Sequence, residues 1–363
     1  MRVRPLGARL IVRRLSLRDY RSYARLDLEL EAGIVLVVGP NGAGKTNLLE
    51  SLHVGTQGFS PRTRNDAQLT RFGAEAARVA LSGSRGATPV ELEVTLRGRE
   101  GKRIRLNGAV LPSPDVLRTE VATLVFTPDR LAVVKGAPLV RRAYFDRALG
   151  RLYPARADVP AAYGAALAQR NAALRRVAAG LSARDALEPW SERIATLGAT
   201  LVDARHALVA ALEPGFAETA GALGLEGARL SYDGDPPTPA AVAERLDRDL
   251  ERGTTSIGPH LHDVGILAGE RDLRLFGSQG EQRLSVLALI LAEATAVGER
   301  RGSPPLLLLD DVLSELDGER RRALSERVGR VGQTVITATA AAALPASPDA
   351  LVEVSPGHAA RAG

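Results

Sequence analysis

Cysteine is missing from all 363 residues, which removes a disulfide scaffold, a thiolate metal site and a cysteine nucleophile together. An intracellular setting is the expectation that follows. Nor is there a run approaching the ~18 consecutive apolar residues that a bilayer span requires. The opening MRVRPLGARLIVRRLSL is broken by Arg13 and Arg14 before a signal-peptide core forms, so neither membrane nor export is expected. Aromatics are scarce, at one Trp, six Phe and six Tyr, which disfavours a stacking platform for single strands. Lysine is scarcer still: Lys45, Lys102 and Lys135 are the only three, so the other 45 basic residues are arginine. Selection for phosphate-gripping forks and a GC-rich genome both produce that skew, and the abundance of Ala and Gly favours the genome.

What the chain does have is core-forming material, with 45% hydrophobic and 25% charged residues and no disorder signature. Its length fits two domains or one large domain carrying an insert. The charge, 48 basic against 42 acidic residues, is mildly positive at +6, and any nucleic acid would be gripped by its phosphates.

The rarity of lysine sharpens the first motif. Residues 39–46 read GPNGAGKT, satisfying G-x-x-x-x-G-K-[ST], of which chance gives only on the order of 0.003 matches in such a chain. The apolar run Ile34–Val38 precedes it and Asn47–Leu52 continues as a helix, so strand, loop and helix stand in the required order. Glycines let a phosphate chain approach the backbone, whose N–H groups then face its oxygens. In that loop Gly39, Pro40, Asn41, Gly42, Ala43, Gly44 and Asn47 form the cradle, Lys45 neutralises β- and γ-phosphates, and Thr46 holds Mg²⁺.

A second motif lies far downstream. Pro304 and Pro305 precede Leu306–Leu309, which runs into Asp310 and Asp311, the pattern of a central parallel strand delivering carboxylates to its C-terminal edge. Asp310 is the metal-side candidate. Asp311, placed on the other side of the pleat, is the candidate general base for an attacking water. Upstream, GSQGEQR at 277–283 opens an apolar helix from Leu284 to Val297, a second anion-binding turn. After the acids come Ser314-Glu315-Leu316-Asp317, an Arg-rich helix from about Glu319 to Arg330, and Gln333–Thr337 as a last core strand.

Taken in order, GPNGAGKTN, GSQGEQR, LLLLDDVLSELD and QTVITAT resemble the ABC/SMC type of ATPase head, and more closely the RecF family of recombination mediators. Leu17–Tyr23, Ser60–Thr63 with Asp66, Phe126–Leu131, and Gly258–His260 with Asp263 fit the same family, from about residue 10 onward. The resemblance implies an α/β fold: a P-loop ABC-type ATPase head with mixed sheet, plus an inserted compact helical lobe. The core would take residues 1–127 and 254–363, and the insert 128–253. It also implies an ATP-dependent head-to-tail homodimer, in which Ser278, Gln279, Gly280 and Asp317 of one copy close over ATP held by the other. A weak, DNA-stimulated ATPase follows, using Lys45, Asp310 and Asp311, with Mg²⁺. Its setting would be cytoplasmic, on double-stranded DNA and single-strand/double-strand junctions, with RecR and RecO as partners and RecA indirectly.

Departures from the wider pattern point to slow turnover. Thr337, Ala338 and Thr339 stand where many ABC heads have a histidine, and no glutamine is evident near Phe126–Asp129. His260 reads as a structural residue. In the insert, Leu167, Leu174, Val177 and Leu181 form one stripe, and prolines at 154, 160, 189, 214, 236, 237 and 239 limit helices to 28 residues. Candidate DNA contacts are Arg62 and Arg64, the hairpin Arg97, Arg99, Lys102, Arg103 and Arg105, and the cluster Arg141, Arg142 and Arg147. A GTPase is excluded, because no lysine follows an asparagine. The alternative is a generic ABC-type head serving as a scaffold or as a transporter's nucleotide-binding subunit.

Overall fold

The computed structural model describes residues 10–98 and 101–362, and they fall into two units. The first takes the chain to Leu131, then Glu218–Leu225 and everything from Gln279; the second takes Ala132–Ala217 and Glu226–Ser278.

Two six-stranded sheets organise the first unit. One is antiparallel and begins with Leu10–Tyr20, Tyr23–Glu29, Ala76–Arg85, Thr88–Arg97 and Gly101–Leu106. Alternation along these strands sends Leu15, Leu17, Val79, Leu81, Leu92 and Val94 inward. The other sheet carries Thr123–Phe126, Leu306–Leu309, Thr334–Ala338, Ile34–Val38 and Ala350–Ser355 in parallel, with His358–Arg361 antiparallel at its edge. Ile34–Val38 and Leu306–Leu309 are apolar at every position because both faces are covered. Helix Lys45–Gln57 packs against strands of both sheets, and eleven of its thirteen residues are buried. Its Leu48, Leu49 and Leu52 each contribute about 1.5–3 kcal/mol of burial. Gly55 permits the approach: a Cβ there would lie 2.6 Å from Leu81.

Gln333–Thr337 is therefore not the last core strand. Ala350–Ser355 follows it and flanks Ile34–Val38 on the opposite side from Thr334–Ala338, a strand whose alternating burial makes it weaker as a sequence signal than the all-apolar runs.

The second unit is helical but not wholly so. Ala228–Tyr232, Val264–Ala268 and Arg271–Asp272 form a three-stranded antiparallel sheet within it. The expected limits 128–253 consequently shift: residues 254–278 pack with the helices, tied in by that sheet and by Arg141, whose guanidinium holds Asp263. On helix Val159–Ala178 the buried stripe is Tyr163, Ala166, Arg170 and Leu174. Leu167 and Val177 only flank it, and Leu181 lies beyond the helix and is exposed.

Proline does not limit helix length as expected. Glu188–Ala222 runs 35 residues with Pro214 inside. Pro189 is harmless in the first turn, where its missing N–H has no partner to lose. Around Pro214 the lost hydrogen bond is outweighed by packing, with Leu208, Leu212, Phe216 and Ala220 all buried. Among described segments, Arg184–Ala222 is the one long and apolar enough to cross a membrane by composition. Half of the apolar window is buried in the fold, and Arg205 within the helix is paired with Asp146, as in the core helix of a globular unit.

Candidate functional site

Four parallel strands end side by side, and the site is built on that edge. Register pairs Val38 with Ala338, Ile336 with Leu309, and Leu309 with Phe126, so the phosphate loop and both acids leave the sheet together. Gly42 and Gly44 have φ of 80° and 111°, values that favour glycine. A Cβ at Gly39 would sit 2.3 Å from the Val354 carbonyl oxygen, and one at Gly44 2.9 Å from the Tyr23 hydroxyl. Lys45 is buried and its Nζ donates to the carbonyls of Gly39 (2.7 Å) and Pro40 (3.0 Å). No side chain caps the helix that starts at Lys45, so its first N–H groups are left for a ligand.

Across 264 residues of sequence, Thr46 Oγ1 donates to Asp310 Oδ1 at 3.1 Å. Thr337 Oγ1 donates to the same oxygen at 2.8 Å and accepts from the backbone N–H of Asp311, also at 2.8 Å. Burial pushes the Asp310 carboxyl above its ordinary value, while the hydrogen bonds from Thr337 and Thr46 act to lower it. A hydroxyl and a carboxylate this close are the protein ligands Mg²⁺ takes when phosphate oxygens and water complete its octahedron. Among the described residues no group of three or more His, Asp or Glu could hold a metal by itself.

Asp311 does not lie on the alternate side of a pleat. The strand ends at Leu309, and Asp311 has φ 50°, ψ 32°, the left-handed region that Asp tolerates better than most residues. That turn, rather than strand alternation, sets the position of its exposed carboxylate. Asp317 caps helix Gly318–Val328 by accepting from the Arg320 N–H at 2.9 Å, and remains exposed. Ser278 directly precedes helix Gln279–Arg301, so Gln279 and Gly280 form its first turn.

Around the loop stands a layer that the sequence only outlined. Tyr23 donates to the Gly44 carbonyl at 3.1 Å, and Asn47 joins the Ser22 hydroxyl to Arg62. Arg21 grips Glu50 with two hydrogen bonds of 2.9 Å, and Ser60 donates to the same carboxylate at 2.6 Å. The Arg-Ser-Tyr run at 21–23 was the available signal. His260 bonds Tyr163 and the Thr255 carbonyl within the second unit, consistent with a structural role.

The basic candidates divide. Arg62 and Arg64 are exposed near the loop, although Arg62 lies 3.6 Å from Glu50. Arg97, Arg103 and Arg105 lie on the outer face of the antiparallel sheet, whereas Lys102 turns to the other face and pairs with Asp66 at 2.8 Å. Arg99 lies outside the described residues. Arg141 is a correction: it is 3% exposed, bound to Asp263 and the carbonyls of Val133 and Val134. Arg142 is spent likewise on the His262 carbonyl, and Arg147 is exposed on the same helix.

Residues 11–361 match the RecF/RecN/SMC N terminal domain. The DNA replication and repair protein RecF of Frankia alni is 39% identical, over 92% of this chain and 94% of that one. The chain belongs to the RecF family. RecF of Heliobacterium modesticaldum is 34% identical over 90% of this chain and 92% of its own. The solved structure of the recombination mediator protein RecF with ATP, in the RecFOR pathway, superposes with TM-score 0.86 at 25% identity, covering 100% of both chains. The fold is thus that of the SMC/RecF ABC-type ATPase head.

Proposed function

We propose that two copies of this RecF-family chain close head to tail over ATP and Mg²⁺, and that the closed pair is a clamp on DNA in recombinational repair and replication-gap processing. The observation that carries the reading is the Thr46–Asp310–Thr337 cluster beside an uncapped phosphate-loop helix, in a chain whose relatives are DNA replication and repair proteins. Thr46 and Asp310 would hold Mg²⁺, which when bound would supply positive charge to the phosphate oxygens. Lys45 leaves its loop carbonyls to meet the β- and γ-phosphates. Asp311 takes a proton from water as the water oxygen bonds to the γ-phosphorus, and the bond from that phosphorus to the β–γ bridging oxygen breaks to leave ADP.

Ser278, Gln279, Gly280 and Asp317 of the second copy lid the nucleotide, so hydrolysis dissolves the contact that ATP made. Turnover is weak, because Thr337 occupies its hydroxyl with Asp310 and Asp311 where many heads supply a histidine, and DNA stimulates it. The clamp acts in the cytoplasm on double-stranded DNA at single-strand junctions, working with RecO and RecR to load RecA.

Sedimentation of the full chain tests this. The mass should double with ATP and Mg²⁺, Ser278→Arg should stay monomeric, and Asp311→Asn should dimerise yet fail to turn over. A mass that never doubles overturns the clamp, and undiminished hydrolysis by Asp311→Asn removes that residue from the reaction.

A further inference from the structure

The outer face of the antiparallel sheet carries arginines in register. Strand pairing sets Arg25 opposite Arg18, Arg18 opposite Arg78, Arg78 opposite Thr95, and Thr95 opposite Arg103. This is one cross-strand line over five strands, and it contains no acid. At the usual strand spacing the line is about 19 Å long. Like charges directly opposite in a sheet are destabilising, and Arg18 faces one on each side. The flanking line runs Asp27, Ser16, Ala80, Glu93, Arg105, and its two acids are shared out. Asp27 serves Arg18 at 3.0 Å, Arg25 at 3.4 Å and Arg14 at 3.6 Å, while Glu93 serves Arg78 at 2.6 Å and Arg105 at 3.2 Å. Five guanidiniums thus rest on two carboxylates, with Arg103 exposed beside them. Among the described residues the other acids of the face are Glu29, opposite Arg14 at the end of its strand, and Glu91, opposite Ser82.

The face is also shaped. Two adjoining grooves of about 340 and 370 Å³ cross it and share Arg78, Glu93 and Arg105. No aromatic side chain lines either groove, so nothing there stacks an unpaired base. A duplex offers one phosphate per 3.4 Å of helix axis on each strand, so the row is long enough to meet several of them. We propose that this sheet face is a binding surface for the phosphodiester backbone of duplex DNA, with Arg25, Arg78 and Arg103 as its phosphate contacts. Arg18 is the fixed member of the row, anchored on the Leu17 and Leu26 carbonyls. Asp27 and Glu93 hold the arginines extended until phosphates replace them. Sequence is not read here, because every contact is to backbone.

The proposal rests on the DNA reading above and localises it, and the test separates the two. Binding of a fluorescent 30-base-pair duplex to the full chain is measured across a salt series for the wild type, the Arg25→Ala/Arg78→Ala/Arg103→Ala triple variant and Glu93→Gln. The triple variant should lose more than tenfold in affinity, and its slope of log affinity against log salt should fall by about 3, at ~0.9 per lost phosphate contact. Glu93→Gln, which releases two guanidiniums, should bind more tightly. Single strands should bind more weakly than duplex. Unchanged affinity and slope in a triple variant that melts like the wild type overturns the surface, and so does weaker binding by Glu93→Gln or equal binding of single strands. ATP-dependent doubling of mass should persist in the triple variant; its absence from the wild type as well would instead overturn the clamp.

Discussion

Arginine serves two different ends in this molecule. In the helical unit each buried guanidinium has its own acid: Arg170 lies on Asp249 at 2.7 Å with both side chains fully buried, Arg205 on Asp146, and Arg141 on Asp263. On the antiparallel sheet, three arginines share Asp27 and two share Glu93, all of them in water. The ratio of partners to cations differs between the two places, and that ratio separates arginines that hold a fold together from arginines available to an outside anion.

The sharpest way to break the comparison is Asp249→Ala. Stranding Arg170 in the interior should cost about 3–5 kcal/mol, read from urea or thermal unfolding, and a loss below about 1 kcal/mol would contradict the division. Arg141→Ala should cost less, about 2 kcal/mol, because Asp263 is partly exposed and keeps water as a partner. The smallest effect belongs to the sheet. The Ser16 hydroxyl, with Arg18 and Arg25, holds the Asp27 carboxyl down at about 2 against an ordinary 3.8. A depressed carboxylate contributes stability above its unfolded value and loses it as pH falls toward the folded one. Stability should therefore drop between about pH 4 and pH 2 by less than ~1 kcal/mol, and Asp27→Asn should flatten that segment of the profile.

Most of the nucleotide edge was legible in the sequence because its signals are local. The glycines at 39, 42 and 44, the all-apolar runs at 34–38 and 306–309, and the two acids after the second run each declare themselves within a few residues. Partnerships that span the chain stayed hidden. Nothing near Thr337 announces that its hydroxyl bridges Asp310 to the Asp311 N–H, and nothing near Gln333 announces that its side chain bonds both the N–H and the carbonyl of Val12. The row formed by Arg18, Arg25, Arg78 and Arg103 is invisible for the same reason: its members are scattered over four strands and meet only through register. Counting basic clusters along the chain reached Arg103 in its hairpin, but it also selected Arg141 and Arg142, which folding consumes.

Gly39 abuts the Val354 carbonyl, and the strand leading to the phosphate loop is flanked on both sides by segments some three hundred residues further on. During synthesis, that strand leaves the ribosome with neither neighbour yet made. A nascent chain can assemble its first sheet early, but it cannot finish a triphosphate grip until translation has passed residue 354. A stop codon placed shortly before that hairpin would yield a protein that carries every glycine of the loop and lacks the strand that flanks it.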